Sequence, residues 1–357
     1  MYTERLTAVR QKFDEWQIDA LYITNPVHYR WLSGFTGSAG KLLITQTTAV
    51  LATDFRYWEQ AARQSPHFSL FKLQRTAGET AALIAQAKAT RIGFEASHLT
   101  VADYHDLPKN DAIKWVPLSE TVEPFRRVKT TTELEKIQAA AAITDKAMAA
   151  FAKLAKPGMT ELALAWELEK LMRELGATGL AFPIIVASGP NAALPHHRPG
   201  ERPLQIGDAI VVDMGAELDG YKSDMTRTFH LGSEPADDFW RVYNITLEAQ
   251  QAALAAMKPG MTGKQMDSLA RDIIAANGHG EHFGHSLGHG VGLDIHEAPW
   301  LSQRQEKMVV GTGEVVTVEP GIYIPGWGGV RIEDLVVMEP DGIRFLSHCP
   351  KEPVITL

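Results

Sequence analysis

Hydrophobic and polar positions keep one rhythm through the first third of this chain and then change. The runs DALYITNP, KLLITQTTAVLAT, FSLFKLQ, RIGFEA and AIKWVPL read as strands, while FRYWEQAARQ and GETAALIAQAKA have helical spacing. This alternation predicts an α/β layer domain around a largely hydrophobic sheet. It breaks at Glu123-Pro124, within EPFRRVKTTTELEKI. There a basic stretch precedes Thr130, and Glu133 three residues later can complete a capping box. The domain boundary is placed there, giving a first domain of residues 1–125 and a second of residues 126–357.

The second part contains an internal repeat. AKPGMTELALAWELEKLMRELGA, with Pro157-Gly158, recurs as MKPGMTGKQMDSLARDIIAANGH, with Pro259-Gly260, at an offset of 102 residues. In each copy the Lys-Pro-Gly turn ends one helix, and Thr160 or Thr262 is placed to cap the next. VASG, VVDMG and SDMTRTF then follow in the first copy, and HSLGHG, VTVEPG and RIEDLVV in the second. Each copy is expected to end in a β-hairpin that offers two carboxylates. Asp213 and Asp224 are eleven residues apart and Glu319 and Glu333 fourteen, spacings too wide for one helical face and natural for facing strands. Pseudo-twofold packing of the copies would bring both hairpins to one shared site.

Composition narrows the class without choosing it. At 357 residues, 45% hydrophobic and 22% charged, the chain has material for two domains with sizeable cores. A net charge of −8 disfavours a nucleic-acid partner, which needs a concentrated basic face. The opening MYTERLTAVRQKFDEWQIDALYI carries charges where a secretory signal needs an apolar core, and no later run approaches membrane-spanning length. A cytoplasmic location without membrane association is the resulting expectation. The single cysteine, Cys349, rules out a Cys-rich zinc site and an intrachain disulfide.

If the two carboxylate pairs converge with His289, they form an oxygen-rich cage. Four ionised carboxylates in one small site repel and would otherwise take up protons. Two divalent cations would balance them and leave the imidazole neutral. A carboxylate-dominated set with one nitrogen suits Mn²⁺, with Co²⁺ or Zn²⁺ as alternatives. His285 and His289 have the four-residue spacing of a helical zinc pair, but the glycines at 284, 288, 290 and 292 point to extended strand and tight turn. GHGVG lacks the strand–turn–helix context of a dinucleotide loop. His296-Glu297 is followed by Ala298-Pro299-Trp300, which breaks any helix and supplies no second histidine for a zincin motif.

DMG, YKSDMTRTF, GHGVGLDIHE, VEPGIYIPGWGGVRIED and the upstream ALPHH, in that order, resemble the creatinase/aminopeptidase P/prolidase family of pita-bread metallopeptidases. The likeness runs over the whole chain and is nearest to the bacterial Xaa-Pro aminopeptidase branch. FTGSAG and TDFRY resemble the family's smaller N-terminal domain, which methionine aminopeptidases lack. The resemblance implies an α+β protein: a C-terminal pita-bread catalytic domain with pseudo-twofold duplicated halves, preceded by a smaller α/β domain. It implies that Asp213 holds one metal in bidentate fashion, that Asp224 and Glu333 bridge both ions, and that His289 and Glu319 complete the coordination shell of the second ion. His196 and His296 map onto histidines that bind the substrate carbonyl and support proton transfer, and His285 onto a further histidine at the site. Arg331 and Tyr221 are implied as groups that support the ligands, Arg331 by orienting carboxylates. A homodimer is implied by resemblance alone, and Arg56 and Tyr57 are placed either against substrate or in a helix-starting turn packed on the sheet.

The expected chemistry is metal-assisted hydrolysis with a metal-bridging water as nucleophile, its proton passing to Glu319 and then to the leaving nitrogen. His196 and His296 would stabilise the tetrahedral species. Proline fits after the cut because its amide has no N–H and its ring suits a shaped apolar pocket. The expected substrate is a peptide with proline second, restriction to Xaa-Pro dipeptides being the alternative. Trp300 stands in HEAPWLS where many prolidases carry an arginine, which favours longer peptides, and Arg198 in PHHRPG is a candidate replacement clamp for a substrate carboxylate. Creatinase-like metal-free hydrolysis and a non-catalytic binding module on the same fold both typically go with lost ligands, and all five are present here.

Overall fold

The computed structural model describes residues 2–109 and 112–356; Met1, Asn110, Asp111 and Leu357, and with them the outer limits of both expected domains, lie outside the described residues. The chain divides into two compact units, Met1–Arg126 and Arg127–Leu357.

In the first unit, apolar runs become strands β1 (Ala20–Ile23), β2 (Lys41–Thr45), β3 (Ala49–Asp54), β4 (Ser69–Leu73), β5 (Arg91–Glu95) and β6 (Lys114–Leu118). They form one sheet in the order β4-β3-β2-β1-β5-β6. The outer pairs are parallel, and β2 runs antiparallel to both β1 and β3. The single run expected over KLLITQTTAVLAT is a hairpin, because Thr45 Oγ1 accepts the amides of Thr47 and Thr48 and turns the chain. Helices α1 (Tyr2–Arg10), α2 (Phe13–Trp16), α3 (Pro26–Ser33), α4 (Trp58–Gln64), α5 (Glu79–Ala85), α6 (Val101–His105) and α7 (Glu123–Arg126) connect the strands.

In the second unit, Thr130 and Glu133 form the capping box that starts α8 (Thr131–Leu154). Thr160 caps α9 (Glu161–Glu174) through the Ala163 amide. The second copy supplies α10 (Asp237–Ala256) and α11 (Gly263–Ala276), the latter with its own Thr262–Gln265 capping box. Gly158 and Gly260 both take the left-handed conformation that ends a turn, with φ of 85° and 92°. The backbone pairing around them is also duplicated. Gly158 N donates to Leu204 O and Leu204 N to Met159 O, while Gly260 N donates to Val310 O and Val310 N to Met261 O.

Each pair of helices covers one sheet. The first contains β8 (Ile185–Ser188), β9 (Ala209–Met214), β12 (Met225–Leu231) and β20 (Val354–Ile355); the second contains β13 (Gly288–Gly290), β14 (Glu297–Leu301), β15 (Val315–Val318), β18 (Asp334–Glu339) and β19 (Gly342–Phe345). Phe151 stacks on Phe229 at 4.4 Å in the first core. Val242, Met266, Val316 and Ile332 are buried together in the second.

The expected simple hairpins are nested ones. Outer strands β9 and β12 pair with Asp213 opposite Thr226, and between them lies the ribbon β10 (Ala216–Leu218) and β11 (Tyr221–Lys222), which extends to β7 (Gly179–Leu180). Likewise β15 pairs with β18, Val318 opposite Asp334, around an inner hairpin of β16 (Gly321–Ile324) and β17 (Gly328–Arg331). The connections are long enough to make turns of their own: Asp219 and Gly220 both have positive φ, 48° and 76°, as a tight two-residue hairpin turn requires. In both halves the carboxylates fall where the outer strands hand over to the inner hairpin.

Candidate metal centre and substrate cavity

Asp213 lies in β9, Asp224 just before β12, Glu319 just after β15 and Glu333 just before β18. The halves meet here: Glu333 N donates to Thr226 O, and Thr228 Oγ1 to Arg331 O. Oxygens of Asp213, Asp224 and Glu333 all come within 4.8 Å of one another. His289, in the centre of β13, closes the group with Nε2 3.3 Å from Glu319 Oε1 and 3.6 Å from Asp224 Oδ2. Gly288 permits this approach, since a Cβ there would sit 2.0 Å from the Thr317 carbonyl oxygen.

The protonation pattern shows what the cage asks for. Burial, reinforced by Glu333, Asp213 and Glu319, pushes the Asp224 carboxyl well above the usual range. Burial with Glu319 and Asp213 does the same to Glu333, and burial outweighs the charge of Arg331 at Asp213. Burial also acts on Glu319, but the hydrogen bond and charge of His289 prevail and hold it at about 2. Asp213 Oδ1 and Glu333 Oε1 are buried with no hydrogen-bond partner among the described residues. Buried oxygens of this kind want a cation. The imidazole is oriented for the same purpose: the Gly290 carbonyl, 3.0 Å away, can only accept, so Nδ1 carries a proton and Nε2 is the nitrogen turned to the carboxylates. The residues present therefore fit divalent ions held by Asp213, Asp224, His289, Glu319 and Glu333.

Threonines and one arginine aim these ligands. Arg331 Nη2 donates to Asp213 Oδ2 at 2.7 Å and Nε to Thr226 Oγ1 at 3.0 Å; Thr226 Oγ1 in turn donates to Glu333 Oε2 at 2.8 Å. Thr317 Oγ1 accepts the His289 amide and donates to Glu319 Oε1. Arg331 Nη1 also donates to the Tyr323 hydroxyl at 2.8 Å, and that hydroxyl lies 2.9 Å from His285 Nε2. Since His285 Nδ1 is engaged by the Ser286 carbonyl, Tyr323 donates to Nε2. Burial lowers the His285 pKa and keeps the ring neutral.

A cavity of about 570 Å³ opens over the cage, its lining combining the apolar Phe182, Pro183, Ile185 and Trp300 with the polar His196, His285, His296 and Arg198. The His296 ring stands 4.4 Å from that of His289 in an edge-on arrangement. Burial, with the His289 and His196 rings, lowers the His296 pKa. All the expected residues of the second unit line this space except Tyr221, whose hydroxyl donates to Glu133 at the start of α8 instead. In the first unit, Arg56 pairs with Asp54 at 2.8 Å and the Tyr57 hydroxyl meets Ser38 at 2.8 Å. Tyr323, Thr226 and Thr317 were not singled out by sequence reasoning. Only Tyr323 left a signal, four residues after Glu319 in the same motif.

A duplicated helix–sheet unit with a carboxylate–imidazole cage under a half-apolar cavity defines a metal-dependent hydrolase. The chain belongs to Metallopeptidase family M24, which matches residues 135–340, and residues 5–128 match the Creatinase/Prolidase N-terminal domain. It is a metallopeptidase of α+β class, with a pita-bread catalytic unit and a separate N-terminal domain. The chain is 37% identical to an Xaa-Pro dipeptidase of Pyrococcus furiosus, covering 98% of this chain and 99% of that protein. The solved Xaa-Pro dipeptidase from Bacillus anthracis superposes with a TM-score of 0.96 at 41% identity, over 100% of both chains. The X-Pro aminopeptidase from Thermotoga maritima gives a TM-score of 0.88 at 36% identity, covering 97% of this chain and 100% of that one. Among the described residues, no helix is long and apolar enough to cross a membrane.

Proposed function

We propose that this metallopeptidase removes the N-terminal residue from peptides whose second residue is proline, acting in the cytoplasm as a homodimer with two Mn²⁺ ions per chain. The observation that carries the reading is the pair of buried oxygens with no hydrogen-bond partner among the described residues, Asp213 Oδ1 and Glu333 Oε1, at a cavity whose lining includes Phe182, Pro183, Ile185 and Trp300. These apolar residues suit a pyrrolidine ring, and a proline amide has no N–H that they would leave unsatisfied. The named activities of the similar proteins support the same substrate class.

Bound in the cage, divalent ions supply Lewis acidity and make water acidic enough to attack at neutral pH. The protein's own groups do the rest. Glu319, ionised at neutral pH, accepts the proton of the attacking water and returns it to the leaving nitrogen. Its Oε1 is held by Thr317 for this exchange. His296, neutral because of its lowered pKa, donates an N–H to the carbonyl oxygen as charge develops there, and His196 supports it from the facing loop.

Restriction to dipeptides is a second reading, favoured by Arg198. It is exposed in the cavity and has no ion-pair partner among the described residues, as a clamp for a free proline carboxylate would. Comparing kcat/KM on Xaa-Pro and Xaa-Pro-Yaa after EDTA treatment and Mn²⁺ readdition separates the readings. Equal or better cleavage of the tripeptide is expected; a dipeptide preference of about tenfold, about 1.4 kcal/mol, favours the Arg198 clamp. Cleavage of neither sinks the Xaa-Pro assignment.

A further inference from the structure

Each Lys-Pro-Gly turn leads into a helix that buries a carboxylate outside the cage. In the first half it is Glu161, the first residue of α9, 0% exposed. Its Oε1 accepts from Ser188 N at 2.8 Å, Ser188 Oγ at 2.7 Å and Asn191 Nδ2 at 3.0 Å. Its Oε2 accepts from His197 Nε2 at 2.8 Å and Gly200 N at 3.2 Å. In the second half it is Asp267, one turn into α11 and also 0% exposed. Its Oδ1 accepts the Leu287 amide at 2.9 Å, and Arg271 grips both its oxygens at 2.6 and 3.0 Å. The same guanidinium donates to the carbonyls of Phe283 at 2.7 Å and His285 at 2.6 Å.

Burying a carboxylate is unfavourable unless its lone pairs are filled. The donors to Glu161 come from the segment that presents His196, while Asp267 takes one from the segment that presents His285, Leu287 N, and the others from Arg271 on its own helix and from Gln303 Nε2 at 2.7 Å. Glu161 ties both ends of residues 188–200, which carry His196 and Arg198. Arg202 Nη1 also donates to Ser188 Oγ at 2.6 Å, Leu162 N to Gly200 O at 3.0 Å and Arg331 Nη1 to the Pro195 carbonyl at 3.4 Å, but among these groups Glu161 alone holds both ends through one side chain. Asp267, directly and through Arg271, ties residues 283–287, which carry His285 and run on into His289. Neither carboxylate lines the cavity.

We propose that Glu161 and Asp267 are matched positioning residues, each a buried pin that sets the loop presenting its half's histidines to the cavity. The inference rests on the peptidase reading for its kinetic readout only. The two pins act on different quantities. The loop held by Glu161 contains no cage residue, so it sets substrate affinity; the segment held by Asp267 leads into His289, so it sets metal retention as well.

The test compares wild type, E161Q, H196A and the double variant for kcat, KM on an Xaa-Pro substrate, bound metal and amide exchange. Removing hydrogen bonds to a buried charge is expected to raise KM about tenfold in E161Q, with bound metal unchanged. On the H196A background the same change is expected to have less than about a threefold effect, because both residues act through one loop. Exchange across 188–200 is expected to rise about tenfold in E161Q while 283–289 keeps its wild-type rates. A wild-type KM, metal loss in step with activity, or an undiminished effect on the H196A background overturns the proposal. If E161Q does not fold, Asn191→Ala removes one donor and is expected to raise KM about threefold, a wild-type KM overturning the proposal. Unchanged exchange in 188–200 overturns it even if wild type cleaves no Xaa-Pro bond, a result that by itself would sink only the peptidase reading.

Discussion

The two halves of the catalytic unit share a frame and differ in what they place on it. Both have the Lys-Pro-Gly turn, the capped helix, the same backbone pairing behind it and a nested hairpin. Where the second half sets His289 on β13, strand pairing puts the buried Ala187 at the matching position of β8, and Ile185, opposite Asp213 on the same strand, becomes cavity wall. Two residues before its last carboxylate the second half has Arg331, buried against Asp213; the first half has Lys222, which pairs with Glu217 away from the cage. Duplication thus fixed where carboxylates stand. Divergence of single residues decided which half supplies the nitrogen ligand and which supplies the wall.

Several substitutions would break or sharpen that contrast. The largest effect is expected for Glu333→Ala, which removes an oxygen donor from the point where the halves meet. Loss of metal-based stabilisation worth several kcal/mol should lower kcat/KM by more than about 10³-fold, measured on an Xaa-Pro dipeptide with Mn²⁺ present. Arg331→Lys comes next: losing the forked contact should cost about 10- to 100-fold in metal affinity or activity, whereas Lys222→Ala should stay within about twofold. Equal effects at the two positions would erase the asymmetry. The shared frame predicts symmetry instead. Thr160→Ala and Thr262→Ala should each destabilise by about 1 kcal/mol in urea unfolding, with Thr262 at least as large because its box is complete.

The smallest effect concerns acid. Burial opposes ionisation of Glu161, but hydrogen bonds from Ser188, His197 and Asn191 outweigh it and leave the folded pKa below the ordinary 4.5. Its stabilising contribution is therefore present above the unfolded value and lost as pH falls through the folded one. The stability gap between wild type and E161Q should narrow when urea unfolding at neutral pH is repeated near pH 4. A gap that widens on acidification contradicts the assignment.

Much of this was legible in the chain itself because it rests on local chemistry. The capping boxes at Thr130 and Thr262, the repeated turns and the carboxylate pairs are all written within a few residues. The family and fold class followed from the same motifs. What escaped was held by contacts between distant residues. Thr226 reaches Glu333 across 107 positions, and Tyr323 meets His285 across 38. A threonine or tyrosine that orients a ligand looks in sequence like any strand residue. Tyr221 shows the limit of reading neighbours in sequence: it stands beside a ligand motif, and its hydroxyl donates to Glu133. The nested hairpins were missed for a related reason, since alternation alone does not count how many strands a connection holds.

The central claim is that both halves jointly hold the ions. The direct test is Mn²⁺ titration of EDTA-stripped protein, reading bound ions per chain in wild type, Asp213→Asn and Glu319→Gln. Two ions in wild type and fewer in each variant are predicted, because each variant takes a ligand from a different half. Wild-type stoichiometry retained in either variant, or no stoichiometric binding in wild type, would contradict it.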